Sequence, residues 1–330
     1  MQAVRLFGVG DVQLADVPKP APGPDEVVVQ VEACGICGTD RHLFLGEFPS
    51  TPPVTLGHEF SGIVCDVGDG VNLSLGTRVT CDPNIPCLSC PHCLCGRVNL
   101  CSNNRPTGVG RDGGFAPFAL IPARNAIALP ADLHPHHGAF CEPLACTLHG
   151  LDMANLRPGE RCLILGGGVI GLLALQLARN AGSEVMMLTR SRAKQELALS
   201  LGATHVATSA DQALAIWPAG ADAVIECAGV VDTVQSAPTL TATGGRIVIL
   251  GVLPKGTKVT IEPFDLLFRE IQMLHSFLNP FTHARAAHMI AAKAVSVAPL
   301  ISRLLTLPEA LAAIRSPAPQ GEVRALVVPQ

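Results

Sequence analysis

The sequence predicts an α/β protein in two parts, a β-rich unit and a doubly wound parallel sheet, on three observations. The first 150 or so residues are rich in glycine, proline and short β-branched runs. From about Leu156 strand-like and helix-like segments alternate. A glycine turn, Gly166, Gly168 and Gly171, sits where the first strand of that alternation gives way to a helix. The length agrees, since 330 residues correspond to about two domains of ordinary size.

In the first part, 27–31, 62–67 and 115–121 read as short strands joined by turns, the pattern of an all-β or barrel-like unit. The second part opens with a strand at 161–165, the glycine turn and a helix at 169–180. A strand at 184–188, a helix at 193–201, a strand at 221–226, a helical stretch after Asp232 and a strand at 246–250 continue the alternation. Such alternation packs as a parallel sheet with helices on both faces. After about Asn279 a helix at 282–292 leads to a terminal strand at 322–328. Met186 and Met187 fall inside a strand and read as core. The longest apolar stretch, 162–177, is broken by four glycines. It therefore reads as buried strand, turn and helix, short of the roughly 20 apolar residues of a membrane span.

Composition excludes several classes. The net charge is −4 and the basic residues are scattered, which gives no footprint for nucleic acid or an anionic membrane and suits a small neutral substrate. The opening MQAVRLFGVGDV lacks the apolar run of a signal peptide, so a cytoplasmic location is expected. Thirteen cysteines in such a chain point to reduced thiols, which when clustered more often hold metal than form disulfides.

Two ligand sets carry the chemistry. Cys87, Cys90, Cys93 and Cys101, in CLSCPHCLCGRVNLC, have intervals short enough for one loop to wrap a tetrahedral ion. The ferredoxin run also begins CxxCxxC, but there the fourth cysteine follows after three residues and precedes proline. Structural zinc is the expectation, with Cys95 a bystander. The second set is mixed: Cys37 in ACGICGTDRH, His58 and Glu59 in LGHEFSG, and Glu142 in CEPLAC. A mixed set can leave a position open for water or substrate, as catalytic zinc requires. Asp40 and His42 follow Cys37 and offer a carboxylate to orient a ligating imidazole and a proton acceptor. His134, His136 and His137 lie in a polar, proline-containing segment and read as solvated.

The glycine turn follows a strand and opens an apolar helix, the context that makes GxGxxG informative for a dinucleotide. Glycines permit close approach of the backbone to a pyrophosphate, and the helix N-terminus attracts its charge. The next strand ends in Thr189, Arg190, Ser191 and Arg192, where an NAD site usually carries an acidic residue for the ribose diol. Hydroxyls and guanidinium groups suit a 2′-phosphate instead. NADP(H) is therefore the preferred cofactor, with NAD(H) possible. Val169, Ile170, Lys194, Cys227, Gly251 and Leu253 complete the expected cofactor-binding set.

With these residues in view, the chain resembles the zinc-containing medium-chain dehydrogenase/reductase family over nearly its full length, most closely the polyol dehydrogenase branch. The resemblance rests on GICGTD, GHEFSG, the four-cysteine lobe, EPLAC, GGGVIG and SFLNPFTHA in the family's order. It implies a GroES-like catalytic domain, residues 1–146 completed by 280–330, with a Rossmann domain at 147–279 inserted between. The terminal strand would return to the first domain. It also implies two zinc ions per chain. Cys37, His58 and Glu59 would hold the catalytic ion, which Glu142 would bind directly or through water. Glutamate at that last position is what points to polyols. Thr39 resembles the hydroxyl that accepts the substrate proton, His42 the end of a relay to solvent, and Asp40 the group that fixes the tautomer of His58. Homodimers or homotetramers are usual in the family. The implied activity is oxidation of a secondary hydroxyl of a polyol to a ketose, the alternatives being an aldose or simple secondary-alcohol dehydrogenase. A zinc- and NADPH-binding protein without turnover is the remaining reading. The pocket walls are expected near Phe44, Phe115 and Phe277.

Overall fold

A computed structural model describes residues 1–329. Both expected parts are present, giving an α/β plus β architecture. In the second part six strands form one parallel sheet in the order His205–Ala207, Glu184–Leu188, Arg161–Leu165, Ala221–Glu226, Thr241–Ile249, Gln272–His275. Numbered along the chain, that order is 3-2-1-4-5-6, so the direction of winding reverses between Arg161–Leu165 and Ala221–Glu226. Doubly wound sheets bind ligands in the crevice beyond the carboxyl ends of those two strands.

The helix Val169–Asn180 and the strands Arg161–Leu165, Glu184–Leu188 and Ala221–Glu226 coincide with the sequence reading. Met186 and Met187 are both fully buried and enter cores on opposite faces of the sheet, as strand alternation requires. The short strands at His205–Ala207 and Gln272–His275 were not foreseen, because edge positions with polar residues lack an apolar run. Also unforeseen is the long helix Cys141–Ala154, which carries Glu142 in its first turn.

In the first part the strand expected at 27–31 extends over Glu26–Gly35, buried on both faces for most of its length. It pairs antiparallel with Glu59–Val67, which continues to Arg78–Cys81 and Ala126–Ala128, while Phe118–Pro122 pairs with it as well. The terminal strand, observed as Arg324–Val327, pairs with the end of Glu26–Gly35 and beside Ile301–Leu305. The chain therefore leaves the first sheet, builds the parallel sheet and returns. A smaller sheet joins Gln2–Gly8, Asp11–Asp16 and Val54–Thr55. One core fills this part around Phe60, Phe115 and Leu56. Another links the two parts, with Phe140 and Leu144 packed among the buried side chains of Val169–Asn180 and His283–Ala291.

Candidate active site

Strand pairing assembles the mixed ligand set. Gly35 stands opposite Glu59 in the antiparallel register, so Cys37, two residues beyond, and His58, one residue before, arrive at the same end of the sheet. Their ligand atoms, with that of Glu59, all lie within 4.8 Å of one another. A Cβ on Gly35 would fall 2.2 Å from Glu59 Oε2, so glycine there leaves the carboxylate oxygen where it stands.

Cys37 is also the N-cap of the helix Gly38–Leu45. Its backbone N–H donates to Asp40 Oδ2 at 2.8 Å, a capping box that buries the Asp40 carboxylate completely. The other Asp40 oxygen faces His58 Nδ1 at 3.6 Å, which leaves Nε2 as the ring nitrogen for a metal. Burial works against a charged imidazole, yet Asp40 and Cys37 outweigh it and hold the His58 pKa well above the ordinary histidine value. Glu59 Oε1 pairs with Arg324 Nη2 at 3.1 Å, while Glu59 Oε2 is buried without a partner. A soft thiolate, an oriented imidazole and a carboxylate with a spare buried oxygen form a donor set that fits zinc.

Glu142 is buried beside this group but outside the close cluster. It accepts a hydrogen bond from Cys146 Sγ, 3.3 Å away one turn along the same helix. Burial, with the neighbouring Glu59 charge, pushes its pKa up to about 7 against the pull of His58.

Thr39 and Cys37 are neighbours, Oγ1 and Sγ being 3.6 Å apart. One helical turn on, His42 Nδ1 meets Glu47 Oε2 at 2.6 Å. Glu47 was missed from sequence. It reaches His42 because Gly46 ends the helix in a left-handed conformation, φ 76°, and folds the next residue back, with the Glu47 amide donating to the His42 carbonyl.

A cleft of about 470 Å³ opens over these groups. Cys37, Thr39, His58, Glu59 and Glu142 line one side, and Ile170, Leu250 and Val252 from the parallel-sheet part line the other. Phe277 forms a wall, joined by Phe48. Phe115 does not reach the cleft, being fully buried in the core beneath it, and Phe44 packs against that same core.

At the glycine turn each glycine has its own reason. A Cβ on Gly171 would stand 1.9 Å from the Gly166 carbonyl oxygen, so only glycine lets helix and turn pack. Gly166 takes φ 109° and lies against Ala228. A Cβ on Gly168, the N-cap of Val169–Asn180, would meet no protein atom within 4 Å, which leaves open space for a phosphate before the free amides of the helix. Thr189 is nearly buried, and its hydroxyl and Lys194 both lie against Gly167. Lys194 is half-buried and its pKa is lowered by that burial. Arg190 and Arg192 are exposed, Arg192 holding Glu196 at 2.9 Å. Ser191 stands at the N-cap position of the helix Arg192–Ser200, without a side-chain capping hydrogen bond. Cys227 and Gly251 follow the strands Ala221–Glu226 and Thr241–Ile249 at the sheet's carboxyl edge. Leu253 is partly buried against the core on one face of the sheet.

The four cysteines form the second cluster, with sulfurs within 4.8 Å of one another and Cys95 exposed and outside it. Backbone amides of Cys90 and Cys87 point at the sulfurs of Cys87 and Cys101, each at 3.3 Å. Amides of this kind, first that of Ser89, bring the Cys87 pKa down to about 5 and lower that of Cys90. Cys93 moves the other way, up to about 12, through burial and the competing thiols around it. Four sulfurs this close together form a donor set that fits a tetrahedral zinc ion. Of the histidine trio, His134 is exposed, but His136 and His137 are half-buried and pack on its ring at centroid distances of 4.9 and 4.8 Å. They gather into no metal-sized cluster among the described residues.

Comparison with known proteins agrees with this fold. The profile of the alcohol dehydrogenase GroES-like domain matches residues 23–131, and that of the zinc-binding dehydrogenase matches residues 169–293. A crystal structure from Sinorhizobium meliloti 1021, described as a zinc-binding dehydrogenase bound to NADP, superposes with a TM-score of 0.97 at 54% identity and covers 99% of both chains. The 2-dehydro-3-deoxy-L-galactonate 5-dehydrogenase of Pseudoalteromonas atlantica is 32% identical over 94% of this chain and 93% of its own length. A sorbitol dehydrogenase of Halalkalibacterium halodurans is 29% identical over 92% and 91%. In fold, motif order and relatives alike, this chain belongs to the zinc-containing medium-chain dehydrogenase/reductase family, in its polyol dehydrogenase branch.

Proposed function

We propose that the protein is a zinc-dependent, NADP(H)-preferring dehydrogenase that oxidises a secondary hydroxyl of a sugar alcohol to a ketose. The observation that carries this reading is the convergence of Cys37, His58 and Glu59 in a cleft whose opposite wall begins with Ile170, on the helix opened by the glycine turn. The NADP-bound relative and the sugar-alcohol and sugar-acid relatives support the cofactor and substrate class. Residues 1–146 with 280–330 then act as the catalytic domain and 147–279 as the cofactor domain.

Cys37, His58 and Glu59 would hold one zinc, with Glu142 contributing directly or through water, and Cys87, Cys90, Cys93 and Cys101 a second, structural one. When bound, the catalytic ion supplies Lewis-acid polarisation of the substrate hydroxyl and the nicotinamide supplies the hydride acceptor. Asp40 fixes the His58 ring from behind. Thr39 Oγ1 would accept the proton that leaves the substrate hydroxyl while passing its own hydroxyl proton on, and His42 would be the exit to solvent. Glu47 holds His42 Nδ1 and so leaves Nε2 as the accepting nitrogen. Thr189, Arg190 and Lys194 form the 2′-phosphate end of the cofactor site, Arg192 being partly engaged by Glu196.

A second reading is favoured by one observation. Phe48, Val109, Leu250 and Phe277 make much of the cleft wall apolar, which suits a simple secondary alcohol or short diol. Steady-state kinetics over polyols, ketoses and simple alcohols with NADP(H) and NAD(H), before and after chelation, separates the two. Absence of turnover with every alcohol would leave a binding protein and refute both. Cys37→Ser should abolish turnover while leaving NADP(H) binding nearly intact. Thr189→Asp should shift preference toward NAD(H), and unchanged preference would remove the argument for NADP(H). Sedimentation would test the expected homodimer or homotetramer. Among the described residues no helix is long and apolar enough to cross a membrane.

A further inference from the structure

Glu226 is a fully buried carboxylate that the mechanism above does not use. It ends the strand Ala221–Glu226, one of the two strands between which the winding of the parallel sheet reverses. No lysine, arginine or histidine among the described residues pairs with it. Its Oε1 instead accepts three hydrogen bonds, from the Ala228 and Gly229 amides at 2.8 and 2.9 Å and from Thr233 Oγ1 at 2.7 Å. Its Oε2 is buried without a partner. Leaving a carboxylate out of water with half its acceptor capacity unused costs stability, so a packing role alone is a poor reason to have one here.

The contacts around it show what it organises. Gly251, at the end of the neighbouring strand, would carry a Cβ 2.3 Å from Glu226 Oε2 and 2.2 Å from the Gly229 nitrogen. The Leu250 and Gly251 amides donate to the Glu226 carbonyl at 2.9 and 3.0 Å, and the Cys227 amide donates to the Leu165 carbonyl at 2.8 Å. Across the switch point, a Cβ on Gly166 would lie 2.9 Å from the Ala228 nitrogen. The Glu226 carboxylate and the backbone of Glu226 and Cys227 thus tie together the ends of three adjacent strands. The carboxylate holds the Ala228–Gly229 turn at the one place where that turn abuts the first glycine of the dinucleotide motif.

We infer that Glu226 is a cofactor-positioning residue: by hydrogen bonding through Oε1 it sets the 227–229 turn that forms one lip of the dinucleotide crevice. The inference rests on the reading of that crevice as the NADP(H) site. Glu226 acts through the turn, with no contact to the reacting atoms. Hydrogen-bond acceptance is the operative property, so an amide in the same place should serve and a truncation should not.

The test is a variant series read by NADPH fluorescence titration at 25 °C and by amide hydrogen exchange of the cofactor-free protein. Wild type is titrated first, and failure to bind either NADP(H) or NAD(H) would refute the proposed function itself. Given wild-type binding, Glu226→Gln should stay within about threefold of it. Thr233→Val, which removes one donor, should weaken binding about threefold, and Glu226→Ala at least tenfold, by the usual worth of buried hydrogen bonds. Exchange of amides 227–229 should accelerate in Glu226→Ala before cofactor is added, and the alcohol KM at saturating cofactor should stay within about twofold. A merely structural role would lower the melting temperature and leave the cofactor dissociation constant unchanged, which overturns the inference. Glu226→Gln binding as weakly as Glu226→Ala overturns it as well. If Glu226→Ala does not fold, Thr233→Val and Gly251→Ala decide by the same titration, and wild-type affinity in both refutes the role.

Discussion

Arg324 belongs to the last strand of the chain, yet it stands against the candidate metal ligands, and replacing it with methionine tests how the site is held together. Its Nη2 lies 3.1 Å from Glu59 Oε1, with side-chain exposures of 6% and 2%. Another guanidinium nitrogen donates to the Ile36 carbonyl, next to Cys37. Burial alone would loosen the Arg324 proton, but Glu59, Cys37 and Glu142 around it raise its pKa above the ordinary arginine value. Methionine keeps much of the volume and removes the charge. Glu59 is then left buried with no cation, and breaking a buried pair on one side costs about 3–5 kcal/mol. The double variant Arg324→Met with Glu59→Gln removes both charges and should recover most of that loss, since neutral replacement of a whole buried pair is close to neutral. Equilibrium urea unfolding of the cofactor-free protein measures all four corners of the cycle. Added zinc should narrow the gap between wild type and Arg324→Met, because an ion bound to Glu59 restores positive charge to the native state. A single-variant loss below about 1 kcal/mol, or a double variant no more stable than the single one, would refute the coupling.

Three further outcomes follow from the geometry. Gly171→Ala pushes a Cβ to 1.9 Å from the Gly166 carbonyl oxygen; an overpacked contact of this kind costs about 1–3 kcal/mol. NADPH should bind at least about tenfold more weakly, and unaltered affinity in the titration would disprove the turn-to-helix packing argument. Cys90→Ser breaks the four-sulfur cluster, so metal analysis should find one zinc fewer per chain and limited proteolysis should cut the 87–101 lobe; full zinc content would count against a structural site. His283 is buried against Thr80 and Asn279, and burial holds its pKa below the usual 6.5 despite the nearby Asp82. A depressed folded pKa means that its stabilising share is whole above the unfolded value and is lost as pH falls through the folded one. Thermal melts from pH 7 to 5 should therefore decline less steeply for His283→Gln than for wild type, and parallel curves would rule out this residue as a source of acid sensitivity.

How much of this was legible in the sequence depended on the distance between the residues that cooperate. The glycine turn and its flanking strand and helix were read correctly because every constraint acts within about ten residues, down to the boundaries of Val169–Asn180. The four-cysteine lobe was local in the same sense. Cys37, His58 and Glu59 were available only as fragments, since their convergence depends on the register that sets Gly35 opposite Glu59. Arg324 had no local signal at all, because it becomes part of the site through Leu326 pairing with Gly35. Glu47 and Glu226 were overlooked for a different reason: each works on a neighbour or a turn, and nothing in composition separates such a glutamate from a solvated one.

Glu59 and Glu226 share a design that gives those missed residues a common logic. Each is a buried strand glutamate with one oxygen occupied and the other without a partner. Each unpartnered oxygen lies where a glycine leaves room: a Cβ on Gly35 would come within 2.2 Å of Glu59 Oε2, and one on Gly251 within 2.3 Å of Glu226 Oε2. The occupied oxygens differ in partner, a guanidinium for Glu59 and two backbone amides with the Thr233 hydroxyl for Glu226. That difference matches the work assigned to each. Glu59 needs a charge-balancing partner that can share it with an added cation, whereas Glu226 holds a turn and needs fixed neutral donors. Gly35→Ala and Gly251→Ala should accordingly act on different steps, the first on zinc retention and the second on cofactor affinity, although both do no more than add a methyl group.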